Sequence, residues 1–142
     1  MARSSHRPRV FVAEDDSDLR EALEEVLTGA GFRPVLFPTA SLLLDALGDD
    51  PPAVIVTDLV MPGMSGAQLL RALRTDERWR RIPVIVLTGS NDTALPLRLD
   101  APIVYKPNTD ALLETIRTAV AQRSATRRHD QGIRGSTDLI GP

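Results

Sequence analysis

Val54-Ile55-Val56-Thr57-Asp58 runs straight into Leu59-Val60-Met61-Pro62-Gly63-Met64-Ser65-Gly66, and this passage sets the architecture of the chain. A run of branched apolar residues reads as a strand buried on both faces. It delivers a carboxylate at its C-terminal end and then breaks into a Pro/Gly loop. Asp58 therefore sits where open α/β sheets bind ligands. Burial in mid-strand would neutralise that carboxylate or demand a partner, whereas the strand end lets it stay ionised beside solvent, a metal or a phosphate.

Working outward, Val10-Phe11-Val12-Ala13 is a second apolar run, and it stops at Glu14-Asp15-Asp16. Leu19, Ala22, Leu23, Val26 and Leu27 then recur at helical spacing up to Gly31. Phe32 to Phe37 reads as a strand, and Pro34 within it removes a ladder donor, which pushes it to a sheet edge. Leu42 to Leu47 form a short helix closed by Gly48 and Pro51-Pro52. After the Asp58 strand, Ser65 or Gly66 opens a helix with Leu69, Leu70 and Leu73 inward and Arg71, Arg74 and Arg78 outward. Val84 to Thr88 and Ile103 to Tyr105 are the last strands, and Leu112, Leu113, Ile116, Ala119 and Val120 mark a closing helix.

Strands alternating with helices through short loops give a parallel sheet covered on both faces. An edge strand second in sequence fits an α/β fold of five parallel strands in the flavodoxin-like order 2-1-3-4-5. Between Gly89 and Leu99, with Pro96 inside, a fourth helix is expected to be short or irregular. Residues 1–8 read as a flexible arm, 9–122 as the domain and 123–142 as a disordered tail rich in Ser, Thr, Arg, Gly and Asp.

The 142 residues hold one domain plus tails, with 42% apolar residues and an aliphatic core. A net charge of −2 gives no general pull toward nucleic acid or membrane. Zero cysteines exclude a disulfide framework and thiolate metal sites. No apolar run approaches ~18 residues, so a cytoplasmic protein is expected. Of the 17 basic residues only Lys106 is a lysine, and its compact ammonium does what a planar guanidinium cannot. The Arg78-Trp79-Arg80-Arg81 and Arg127-Arg128 patches read as solvated faces.

In the 2-1-3-4-5 order, Glu14-Asp15-Asp16, Asp58 and Thr88 converge on one rim, and Lys106 joins from the fifth strand. Each has an ordinary reading alone: Asp15, Asp16 or Ser17 as a helix cap, Asp58 as a turn initiator, Thr88 as a β-branched strand residue, Lys106 as a solvated charge. Together, several carboxylates on neighbouring strand ends repel and are driven to protonate unless a cation lies among them. Oxygen-only ligands at a wet rim suit Mg²⁺. A divalent ion, a nucleophilic carboxylate, a hydroxyl and an ammonium are the equipment for phosphoryl transfer to Asp58.

These residues resemble the receiver domain of two-component response regulators over about Arg9 to Gln122. The resemblance rests on Glu14-Asp15-Asp16, on Asp58 with Met61-Pro62-Gly63-Met64-Ser65-Gly66, on Thr88-Gly89 and on Lys106-Pro107. It implies that Asp58 accepts phosphate from a phosphohistidine of a sensor histidine kinase or phosphotransfer protein. Asp15, Asp58 and the Val60 carbonyl would bind Mg²⁺ directly, with Glu14 acting through water and Asp16 capping the helix. The Val60 and Gly89 amides would contact the phosphoryl group, Thr88 would turn in upon it, and Lys106 would neutralise it. Slow intrinsic dephosphorylation is expected rather than enzymatic turnover.

Two departures stand out. Residues 89 to 105 form a short span, with Pro96 and Pro102 in it, and the position three before Lys106 is Ile103 while the aromatic is Tyr105. A stand-alone phosphoacceptor signalling by binding an unknown downstream protein is the leading expectation. A phosphorylation-independent interaction module with the same fold is the alternative. A flavodoxin-like cofactor binder is disfavoured by the acidic loop after the first strand, where a glycine-rich phosphate loop would stand. A hydrolase is disfavoured by Leu59-Val60, which supply no acid or base beside Asp58.

Overall fold

The computed structural model describes residues 7–89 and 99–123. The elements run β1 (Arg9–Ala13), α1 (Ser17–Gly29), β2 (Arg33–Phe37), α2 (Ala40–Ala46), β3 (Val54–Asp58), α3 (Gly66–Arg74), β4 (Val84–Thr88) and β5 (Ile103–Tyr105). A closing helix, α4, covers 109–123. All pairings are parallel and the sheet order is β2-β1-β3-β4-β5, the order expected from the position of Pro34. The segment expected to hold a short helix between β4 and β5, most of the N-terminal arm and the tail beyond 123 lie outside the described residues.

Strand alternation divides the core into two layers. Phe11, Ala13, Ile55 and Val84 pack with Leu43 of α2, Leu69 and Leu73 of α3, and Trp79. Val10, Val12, Val54, Val56, Ile85, Leu87 and Val104 face the other way, toward Leu23 and Leu27 of α1 and Leu112 and Ile116 of α4. β3 and β4 are buried along their whole length, as continuous apolar runs in a doubly covered sheet should be. Each fully buried Leu or Ile contributes ~1.5–3 kcal/mol of transfer free energy.

Helix starts follow the capping chemistry of their residues. Asp16 accepts from the Asp18 and Leu19 amides at the head of α1. Ser65 and Gln68 form a reciprocal capping box at α3. Gly63 in the preceding loop has φ +77°, a backbone conformation that favours glycine.

Two readings of the sequence need correction. The Arg78–Arg81 patch is not wholly a solvated face, because Trp79 is 9% exposed and belongs to the α2/α3 layer. Its indole N–H donates to the Gly48 carbonyl at 3.2 Å, and the Arg78 guanidinium lies 4.0 Å from the ring centroid. Arginine thus covers the ring while its own charge stays wet. Ala22, placed on the apolar stripe of α1 by periodicity, is exposed, since Leu23 and Leu27 with Leu19 already fill the contact.

Candidate functional site

The carboxyl ends of β1, β3, β4 and β5 meet at one rim. Register pairs Ala13 with Thr57, Asp58 with Leu87, and Thr88 with Tyr105. The next residues of β1 and β5, Glu14 and Lys106, thereby flank Asp58. The alternation of the strands sorts them further: Glu14 extends the Val10, Val12 row, Asp58 the Val54, Val56 row and Lys106 follows Val104. Three charged side chains therefore leave the sheet on the α1/α4 side. Thr88 falls in the opposite row, with Val84 and Val86, and is 1% exposed. Its hydroxyl donates to the Gly89 carbonyl at 3.4 Å.

Lys106 is the hub. Its Nζ lies 2.8 Å from Asp58 Oδ2, in a hydrogen bond, and 2.8 Å from Glu14 Oε1. The Glu14 contact is a salt bridge, and Lys106 is the one charged partner of that buried oxygen among the described residues. Its other oxygen, Oε2, accepts from the Asp16 amide at 3.1 Å. Glu14 is wholly buried and Asp58 is 6% exposed, while Asp15 reaches solvent.

Burial and charge act against each other here. Desolvation pushes the Glu14 carboxyl above its ordinary value of 4.5; the Lys106 ammonium and the Asp16 amide oppose that shift, and the Asp58 charge adds to it. Desolvation also disfavours the charged form of Lys106, yet the hydrogen bond it donates to Asp58 and the pairing with Glu14 outweigh it and hold the ammonium above 10.5. The chain's one lysine is thus the cation that lets two buried carboxylates coexist.

Glu14, Asp15 and Asp58 each offer a carboxylate oxygen, all within 4.8 Å of one another. Three hard oxygen donors so clustered suit a small divalent cation. Val60 follows two residues after Asp58 and is 56% exposed. Gly89 is half-buried just past β4. Asp16 is spent on the cap of α1.

Some contributors carry no overt sequence signal. The Thr57 hydroxyl donates to the Asp58 carbonyl at 3.0 Å, and the Gly66 amide donates to Leu59 O at 2.9 Å. A Cβ on Gly66 would stand 2.2 Å from Asp58 O, so α3 starts in direct contact with the backbone that bears the acid. Arg20 Nη1 donates to the carbonyls of Glu14 and Asp15 at 2.9 and 3.0 Å. Its only sequence cue is a cation one turn into a helix whose start is acidic. Tyr105, the aromatic before Lys106, is 47% exposed.

Residues 10–117 match the family model of the response regulator receiver domain. The chain belongs to that family. It is 31% identical over 135 residues to the DNA-binding transcriptional regulator NtrC of Escherichia coli, covering 94% of this chain and 28% of that protein. This receiver chain therefore spans under a third of that relative's length. Among solved structures, the receiver domain of a signal transduction histidine kinase from Syntrophus aciditrophicus superposes with a TM-score of 0.73 at 25% identity, over 81% of this chain and 91% of that one. The receiver domain of a Pseudomonas aeruginosa sensor histidine kinase, with magnesium coordinated in its active-site cleft, superposes with a TM-score of 0.73 at 21% identity, over 81% and 98%. At that identity the second likeness establishes the fold.

Proposed function

We propose that this receiver takes a phosphoryl group onto Asp58 from a phosphohistidine of a sensor histidine kinase or phosphotransfer protein, and signals by phosphorylation-dependent binding of a partner protein. The observation that carries this reading is the convergence of Asp58, Glu14, Asp15 and Lys106 at the carboxyl rim. A buried carboxylate paired with an ammonium at 2.8 Å is a nucleophile with the charge partner of a phosphoryl group already beside it. In the transfer an Asp58 oxygen bonds to phosphorus as the phosphorus–nitrogen bond breaks and the imidazole leaves. Lys106 follows the charge from the carboxylate to the phosphoryl oxygens. Thr88 and the Val60 and Gly89 amides are the donors at the same rim.

Glu14, Asp15, Asp58 and the Val60 carbonyl would hold Mg²⁺, with Glu14 acting through water. When bound, the ion supplies charge neutralisation for the phosphoryl oxygens. Aspartyl phosphate loss is expected to be slow hydrolysis, because Leu59 and the exposed Val60 offer no acid or base. The receiver domain is proposed to span 9–122. Among the described residues no helix is long and apolar enough to cross a membrane.

Incubation with acetyl phosphate and Mg²⁺ should add one phosphoryl group to the intact protein, read by mass, and Asp58→Asn should add none. A wild-type protein that stays unlabelled by both acetyl phosphate and a kinase would overturn the reading and favour a phosphorylation-independent interaction module.

A further inference from the structure

The acidic loop between β1 and α1 carries two of the three clustered carboxylates, yet Glu14, Asp15 and Asp16 repel one another and belong to neither element. Its backbone is fixed at few points. The Glu14 amide donates to Phe37 O at 3.0 Å, the Asp16 amide to Glu14 Oε2, and the Asp16 carboxylate is taken by the helix cap. The carbonyls of Glu14 and Asp15 are both taken by one group, Arg20 Nη1, at 2.9 and 3.0 Å. Arg20 is half-buried on α1, and its own amide donates to Asp16 O at 2.9 Å. The same residue thus closes the loop through its backbone and through its side chain.

We propose that Arg20 is a positioning residue for the acidic loop, its guanidinium fixing the Glu14 and Asp15 backbone so that both carboxylates face Asp58. For divalent-ion binding the inference rests on the Mg²⁺ reading given above. Arg20 offers no electron pair to a metal, and its guanidinium bonds run to the Glu14 and Asp15 carbonyls and not to carboxylate oxygens among the described residues. Two roles with opposite consequences can then be separated. As a nearby positive charge, Arg20 would repel a divalent cation, and its removal would tighten Mg²⁺ binding. As a clamp on the ligand backbone, it would order the donors, and its removal would weaken binding, on the order of tenfold as for other groups that orient metal ligands. The geometry favours the clamp, because both bonds end on the peptide groups that carry the ligands.

The test uses the full chain with Mg²⁺ as the only added ion, titrated by calorimetry, alongside amide hydrogen exchange in the metal-free protein. Arg20→Met should bind Mg²⁺ about tenfold more weakly, and Arg20→Lys, which keeps a donor, should recover most of that loss. In metal-free Arg20→Met, exchange at the Glu14 and Asp16 amides should quicken while β3 amides keep their protection, which separates loop release from general unfolding. Unchanged or tighter Mg²⁺ binding by Arg20→Met overturns the proposal. If wild type takes up no Mg²⁺, the metal reading fails, and the exchange result alone decides: faster loop exchange supports the clamp and unchanged loop exchange refutes it.

Discussion

Gly66→Ala is expected to destabilise the protein severely, for a reason no side-chain contact conveys. Gly66 is the first residue of α3, and a methyl group built on it would meet Asp58 O at 2.2 Å, Asp58 C at 3.0 Å and Leu59 Cα at 3.0 Å. All three are backbone atoms, so no rotamer change can relieve the overlap. Either α3 moves outward, opening the layer filled by Leu69 and Leu73, or the end of β3 shifts and carries Asp58 with it. Overpacking a tight site costs about 1–3 kcal/mol, and a clash with rigid backbone belongs at the top of that range. With a urea m-value of ~1.5 kcal/mol/M for a domain of this size, a loss of ~3 kcal/mol lowers the unfolding midpoint by about 2 M. Gly29→Ala is the matched control, since Gly29 ends α1 and a methyl there meets nothing within 4 Å. That change should leave the midpoint equal or raise it by up to ~0.5 kcal/mol equivalent. Urea titrations followed by circular dichroism decide the matter. Equal midpoints for Gly66→Ala and wild type would refute the claim that α3 is seated against the backbone of β3 at Asp58.

Lys106→Met removes the cation between Glu14 and Asp58 and should cost ~1–2 kcal/mol in metal-free protein near neutral pH, a figure discounted because the lysine is a quarter exposed. Since folding holds the Lys106 pKa above 10.5, its contribution is complete below that value and is lost as pH rises through the folded pKa; urea midpoints of the two proteins should converge only there. Trp79→Ala should cost ~3–5 kcal/mol by emptying a core site, measured by circular dichroism in urea. The Asp76 carboxyl lies below its ordinary 3.8 because Arg78 hydrogen-bonds to it, so its small contribution is present above that pH and fades as pH falls through the folded value. Thermal midpoints of wild type and Asp76→Asn should differ at pH 7 and merge in strong acid.

The sheet order was legible because its strands are β-branched runs cut by Gly, Pro and acidic loops, and because Pro34 can only stand at an edge. Asp58, Glu14 and Lys106 were placed at one rim by the same logic, since parallel strands put their carboxyl ends together. That Lys106 would bridge both carboxylates depended on strand parity and on a lysine stem reaching past the end of β4, which spacing alone does not report. Trp79 was misread because its arginine neighbours make the segment look wet, whereas Arg78 stacks on the ring it shields. Gly66 was visible as a candidate helix start, but its closeness to Asp58 O arises only when α3 packs back on the sheet. Arg20 acts through carbonyls, and backbone acceptors leave no trace in side-chain patterns.

The most direct measurement is chemical location of the phosphoryl group. After incubation with acetyl phosphate and Mg²⁺, borohydride reduces an aspartyl phosphate to homoserine, and peptide mass spectrometry reads the position. The expected result is homoserine at 58 and nowhere else, lost in Asp58→Asn. Modification at Asp15 or Asp16 with Asp58 untouched, or no modification under conditions that also fail with a phosphorylated kinase, would contradict Asp58 as the phosphoacceptor.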